Sequence, residues 1–261
     1  MFKKIILASV LAASASFADW NFFQVLENHK GQAGIGTTFT KKVDDNLDYS
    51  RLTMGASVRY TVIPDLELAL SVPYWIFVHF DGEDANINGF AQPSFSVRYH
   101  IIPTMNVYAA VSIPVGDESL VEKNAWLFNV GVEYYTPINQ LLNFGSHIGF
   151  SASTKGEHRV APLSVDASAE LNFMVTPQFN PYIGIGTAVP LGAFTDNGYE
   201  SSYPGKTIDV CPYIGASYTI NDIVSFNAQI GLSTAIYTQT NISWDRTDMQ
   251  LSTSFSARFN F

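Results

Sequence analysis

The sequence predicts an all-β protein, a transmembrane antiparallel β-barrel of about twelve strands that follows a cleaved N-terminal signal peptide. Three observations carry this expectation. The chain starts like an exported protein, its apolar residues fall on alternate positions, and its short turns recur at spacings of 39, 34, 40 and 44 residues. Composition agrees, with 47% hydrophobic and only 14% charged residues, where a soluble domain carries roughly 25% charged. A net charge of -9 leaves no basic surface to neutralise a phosphate backbone, so no nucleic acid is expected as a partner. The lone cysteine, Cys211, cannot form a disulfide within the chain, and no Cys/His spacing suggests a zinc site.

Residues 1–18 read as the signal peptide. Lys3 and Lys4 precede the apolar run Ile5–Ala13, and Ser16-Phe17-Ala18 supplies the small-x-small cleavage pattern. Residues 19–30 form a separate segment rich in Trp20, Phe22, Phe23, Val25 and Leu26. It is too apolar for a free tail, which leaves a lumen plug, a periplasmic docking piece or an extra strand. Residues 31–261 are expected to form the barrel. After the signal no apolar run is long enough for a spanning helix, so any membrane crossing uses strands.

The strands follow from period two. Leu52, Met54, Ala56, Val58 and Tyr60 alternate with Arg51, Thr53, Gly55, Ser57 and Arg59. The pattern returns in Val107–Val115, Trp126–Tyr134, Leu163–Val175, Val224–Leu232 and Leu251–Phe261. Short breaks fall at Ile63-Pro64-Asp65, Ile102-Pro103-Thr104, Thr136-Pro137-Ile138, Thr176-Pro177-Gln178 and Asn221-Asp222. Longer polar stretches, 41–49, 78–88, 116–124, 155–162, 194–206 and 238–248, lie between them. Five turns and six loops join twelve strands, an even number that puts both ends on one side.

A propeller blade of similar period would need four short strands per repeat, whereas each repeat here holds two long ones. Tyr60, Tyr99, Tyr134 and Tyr218 beside the short turns suit an interfacial aromatic belt. The last strand places Phe255, Phe259 and Phe261 on one face, resembling the end by which bacterial barrels engage their assembly machinery. The expected surroundings are therefore outer-membrane lipid and the outer membrane of a Gram-negative-type bacterium, with short turns in the periplasm and long loops outside.

Three segments carry a family resemblance. Leu70-Ser71-Val72-Pro73-Tyr74-Trp75, Asn88-Gly89-Phe90-Ala91-Gln92-Pro93 and Val111-Ser112-Ile113-Pro114-Val115-Gly116-Asp117 resemble the outer-membrane transporter family named after the meta-pathway of phenol degradation. The similarity is best over residues 66–135. Ala91-Gln92 stand where that family has a second Gly and an Asp. The resemblance implies a transporter or porin-like role for small molecules, hydrophobic ones among them, and no catalytic residues.

The inward face defines the candidate site. Arg59, Glu67, Arg98, Glu133, Glu170 and Arg258 are expected to line the lumen near the periplasmic ends, where their charges balance. Most other inward residues are small, which predicts a narrow water path. Pro73, Pro93, Pro190 and Pro212 each remove a ladder donor. Loop symmetry sets Pro73 opposite about Ser94 and Pro190 near Val210, arrangements that either open the wall sideways or end regular strands near the outer rim.

Chemistry finds little support in the sequence. His147 and His100 make no convincing Ser-His pair, and Asp166 and Glu170 lie about 13 Å apart along an extended strand, too far for paired acid/base work. His79, Asp81, Glu83 and Asp84 read as a solvated acidic loop sooner than a cation site. No enzyme activity, catalytic residue, cofactor or metal is expected. The reading is a channel passing small solutes passively, the solute being unnamed by the sequence. The competing reading is a structural or surface-interaction barrel with a blocked lumen.

Overall fold

The computed structural model describes residues 25–43, 49–80, 86–121, 123–154, 162–193, 207–237, 243–244 and 249–261. The expected signal peptide, most of the long loops and the acidic cluster of residues 81–84 lie outside them. The strands are β1 (Gly31–Val43), β2 (Tyr49–Ile63), β3 (Leu66–Phe80), β4 (Asn86–Phe90), β5 (Ser94–Ile102), β6 (Met105–Ser112) and β7 (Leu127–Asn139). They continue as β8 (Leu142–Ser153), β9 (Pro162–Phe173), β10 (Phe179–Ala193), β11 (Thr207–Thr219), β12 (Val224–Tyr237), β13 (Ser243–Trp244) and β14 (Met249–Asn260).

Pairing is antiparallel throughout and follows chain order except at β4 and β13, and β1 pairs β14 from Gln32↔Asn260 to Val43↔Met249, which closes the sheet. β4 and β5 are two pieces of one wall strand, because both pair with β3 and only residues 91–93 separate them. β13 extends the β12–β14 hairpin by two residues. The wall therefore has twelve strands, as expected. Closure of the twelve-strand ring removes the two open edges that an unclosed sheet would leave.

Alternation sorts the side chains. Along β7 and its neighbours Phe128, Val130 and Ile148 are 45%, 49% and 64% exposed, while Asn129 and Glu133 turn inward. Of the side chains that are buried among the described residues, eighteen are polar or charged and seven hydrophobic. The barrel is thus apolar outside and polar inside, the inverse of a soluble domain, because only lipid makes an apolar exterior favourable.

One turn differs from expectation. β7 continues through Pro137, which pairs with Asn143, and turns at Asn139, whose Oδ1 accepts the Leu141 N–H at 2.8 Å. The β6 ladder stops at Met105↔Tyr134, and the last bond on that side is Tyr135 N to Thr104 O. Beyond it Pro137 faces no acceptor, so its missing N–H costs no ladder bond.

Candidate functional site in the lumen and its mouth

The expected lumen residues all turn inward near the short-turn end, and four of them join. Arg59 Nη1 lies 3.4 Å from Glu67 Oε2, and Arg98 Nη1 lies 3.2 Å from Glu67 Oε1. Arg98 also grips Glu133, with Nε at 2.9 Å from Oε2 and Nη2 donating to Oε1 at 3.1 Å. Glu67 and Arg98 are register partners on β3 and β5, so the ladder is built by strand pairing. Gln32 Oε1 accepts from Arg59 Nε, and Asn106 Nδ2 donates to Glu133 Oε2. Glu170 stands apart on β9, where Asn172 Nδ2 donates to its Oε1 at 2.6 Å. Arg258 is buried on β14, in register with Gly34 and Ser225. Among the described residues, ion pairs thus join Arg59, Glu67, Arg98 and Glu133.

The described part of the N-terminal segment approaches this ladder. Leu26 N–H donates to Glu67 Oε2 at 3.2 Å, and the Leu26 carbonyl accepts from Thr61 Oγ1 at 2.9 Å. Thr61 is wholly buried. A cavity of about 350 Å³ opens beside the segment, lined by Val25, Leu26, Pro64, His100, Asn106 and Tyr135 among others.

Away from the ladder, the inward glycines are not bare space. Tyr108 pairs in register with Gly131, Tyr213 with Gly184, and Tyr182 with Gly215. A Cβ at any of these glycines would meet the paired tyrosine ring. Each glycine is a seat for a ring, so the lining is less open than small residues alone suggest. The sequence signal for this was a tyrosine on the polar face of each strand, which a count of small residues overlooks. Tyr108 Oη lies 2.6 Å from His147 Nε2, Asp166 Oδ2 lies 3.2 Å from the same nitrogen, and Ser168 Oγ is 3.4 Å from Nδ1. His147 and Ser168 are register partners, a proximity the sequence reading did not credit. The serine contact is long, and Tyr108 already occupies Nε2 more closely than Asp166 does.

At the long-loop end the three resemblance segments come together. The described residues between β6 and β7, 113–121 and 123–126, bend inward. Asp117 Oδ2 accepts the Phe90 N–H, and Asp117 N–H donates to the Phe90 carbonyl at 2.9 Å. The Asp117 carbonyl accepts from Leu120 and Val121, closing a turn. Gly89 and Gly116 hold φ of 141° and 155°, values that L side chains rarely adopt, and a Cβ at Gly89 would strike Asp117. Gln92 Nε2 donates to the Ala125 carbonyl at 2.8 Å, fastening the returning chain. On the loop surface a hydrogen bond from Lys123 at 2.6 Å holds the Glu118 carboxyl below its ordinary range.

Leu120 and Val121 are thereby buried against Tyr49, Trp75 and Val78. A bulge at Ile76, where Leu52↔Phe77 gives way to Thr53↔Trp75, turns both Trp75 and Val78 inward although they are three residues apart. This cluster is the apolar part of an otherwise polar interior.

The prolines occupy irregular places in the wall. Pro73 pairs with Gly55 on one side, and its carbonyl accepts from Ala91 N on the other, at the break between β4 and β5. The Pro93 carbonyl accepts from Ile113 N. The register sets Ser71, not Pro73, opposite Ser94. Pro190 precedes a bulge on the β9 side, while Pro212 pairs with Ile185 and, with Cys211, interrupts the β12 ladder. The two prolines of that hairpin are therefore not opposed.

A closed antiparallel meander with an apolar exterior, a charged interior, short turns at one end and long loops at the other is an outer-membrane β-barrel. Solved structures of that class are similar to it. An outer membrane channel from Pseudomonas putida F1 matches with a TM-score of 0.75 at 12% identity, over 93% of this chain and 100% of that one. The translocator domain of the autotransporter NalP from Neisseria meningitidis gives 0.61 at 9% identity, over 99% and 98%. The monoaromatic hydrocarbon channel CymD gives 0.51 at 9% identity, over 90% and 89%. No family model matches the chain, and no curated protein sequence matches it.

Proposed function

We propose that the protein is an outer-membrane channel through which small solutes, hydrophobic ones among them, pass passively. The observation that carries this is the connection between β6 and β7, pinned inward by Asp117 so that Leu120 and Val121 narrow the mouth against Trp75. A purely structural barrel has no need of such a constriction. The charged ladder of Arg59, Glu67, Arg98 and Glu133 then forms a second, polar narrowing toward the periplasm. Similarity to an outer membrane channel and to a monoaromatic hydrocarbon channel is consistent with this role. The breaks at Pro73 with Ala91–Pro93 and at Pro212 support a lateral outlet by which apolar solutes leave the lumen for lipid. Phe255, Phe259 and Phe261, 53%, 44% and 60% exposed on the last strand, support recognition by the barrel assembly machinery.

Single-channel recording in a planar bilayer, with a panel of solutes, tests the proposal. Discrete current steps are expected, and their absence would favour the blocked barrel instead. One observation favours that second reading, namely the hydrogen bond from Leu26 to Glu67 at the short-turn end. Deleting residues 19–30 separates the two, because a plugged barrel conducts only once the segment is gone.

A further inference from the structure

The charged groups of the ladder have charged or polar partners, whereas among the described residues two nitrogens of the Arg51 guanidinium have none. Arg51 is only 3% exposed. Its Nε and Nη1 are buried without a hydrogen-bond partner, and no carboxylate among the described residues forms an ion pair with it. It lies against an aromatic ring instead, the guanidinium carbon 5.1 Å from the centre of Trp75. Arg98, by contrast, has two carboxylates. An isolated buried charge is costly unless something pairs with it, and Arg cannot escape the cost by losing its proton.

The surroundings say what the missing partner resembles. Trp75 is shared between Arg51 and the apolar cluster of Tyr49, Val78, Leu120 and Val121. Lys42, also buried, is the register partner of Tyr49 and adds positive charge to the same rim. A planar guanidinium matches a carboxylate with two parallel hydrogen bonds. The apolar neighbours would take the body of the same molecule. The tip Leu120-Val121 covers the cluster, held by backbone bonds to Asp117 and by side-chain packing, so moving the tip uncovers Trp75 and its stacked guanidinium.

Resting on the channel reading, we propose that Arg51 and Trp75 form a binding site in the mouth for organic monocarboxylates with an apolar or aromatic body. The carboxylate pairs with the Arg51 guanidinium through an edge that includes Nε or Nη1, and the ring or chain lies against Trp75, Leu120 and Val121. The solute is held there before it moves toward the polar ladder.

Benzoate is the probe, with benzamide as its neutral counterpart of the same shape. Binding to the full-length protein in detergent is read by tryptophan fluorescence, and block of single-channel current is read in a bilayer. The wild type is expected to bind benzoate at least tenfold more tightly than benzamide. Arg51→Gln should erase that difference, whereas Arg51→Lys, which keeps the charge, should retain part of it. A closed barrel is expected to migrate differently on a gel before and after boiling, because its ring of strands has no free edge from which to unravel, and retention of that shift shows that each variant is folded. Equal benzoate affinity in wild type and Arg51→Gln would overturn the site, as would equal affinity for benzoate and benzamide. Acetate binding as tightly as benzoate would overturn the apolar subsite. Binding without any current would remove the channel reading and leave the site standing, so the two failures are distinguishable.

Discussion

Arg98 and Glu133 meet across β5 and β7 although β6 runs between them, with Nε 2.9 Å from Oε2 and Nη2 donating to Oε1 at 3.1 Å. The contact spans two strand spacings because Tyr108, the register partner of Arg98, is seated over Gly131. The space beside the ring is left to the long guanidinium. Nη2 makes the hydrogen bond, and Nε adds a close ion contact.

Glu133→Gln keeps the shape and removes the charge that Arg98 holds. Hydrogen bonds to charged groups contribute about 1.5 to 3 kcal/mol, and a loss of that size is expected in urea unfolding followed by tryptophan fluorescence. Ion preference decides whether the ladder also acts on the current. If it is a constriction, changing Glu67 and Glu133 together shifts selectivity toward anions; if it is only structural, the reversal potential does not move.

Asp117→Ala removes the acceptor that pins the mouth loop to Phe90. Single-channel conductance should rise and become noisier, since Leu120 and Val121 lose their fixed position, while the gel shift that reports a closed wall is unchanged. Unaltered conductance would show that the loop does not set the narrowest point.

Gly184→Ala tests the ring seats. The added Cβ meets the Tyr213 side chain, and overpacking of this kind costs about 1 to 3 kcal/mol. Tyr213→Ser in the same chain should restore part of that loss, because the obstruction is a side chain. The double variant will be less destabilised than the two single losses summed. Simple additivity would refute the seat.

On the wall, Val130→Arg places a charge on the lipid face at a residue 49% exposed, and such changes cost roughly 2 to 4 kcal/mol near the midplane. Asn129→Arg, one residue away but turned to the lumen, where its Nδ2 donates to Ser151, should cost far less. Equal costs in lipid vesicles would mean that the inside and outside faces are assigned wrongly.

The outer loops bear on ion traffic. The six long stretches hold 14 acidic and 7 basic residues, so a weak cation preference is expected in dilute salt. It should fade as the screening length falls from about 10 Å at 0.1 M to about 3 Å at 1 M. Arg51→Gln should strengthen the preference, since it removes a positive charge from the mouth. Anion preference in the unaltered protein at low salt would contradict this reading.

The wall could be read residue by residue. Period-two alternation assigns Val130 outward and Asn129 inward without any three-dimensional information, because a strand's pleat alone decides the face. The same logic turned Arg59, Glu67, Arg98 and Glu133 inward near the short turns. It failed where the pleat is interrupted. The bulge at Ile76 resets the parity of β3 and brings Val78 inside with Trp75, and Pro137 passed for a turn residue because its missing donor was costless there.

What the sequence determined by itself was the barrel, its closure in twelve strands and the sorting of its two faces, all consequences of local periodicity and turn chemistry. The site needed tertiary structure. Glu67 finds Arg98 and Tyr213 finds Gly184 only through register, and Leu120 reaches Trp75 only because Asp117 folds its loop over the β4–β5 break. Those contacts join residues tens of positions apart, and no local pattern encodes a distance across a lumen. The unpartnered state of Arg51 belongs to the same category, since a missing partner is visible only once every neighbour has been placed.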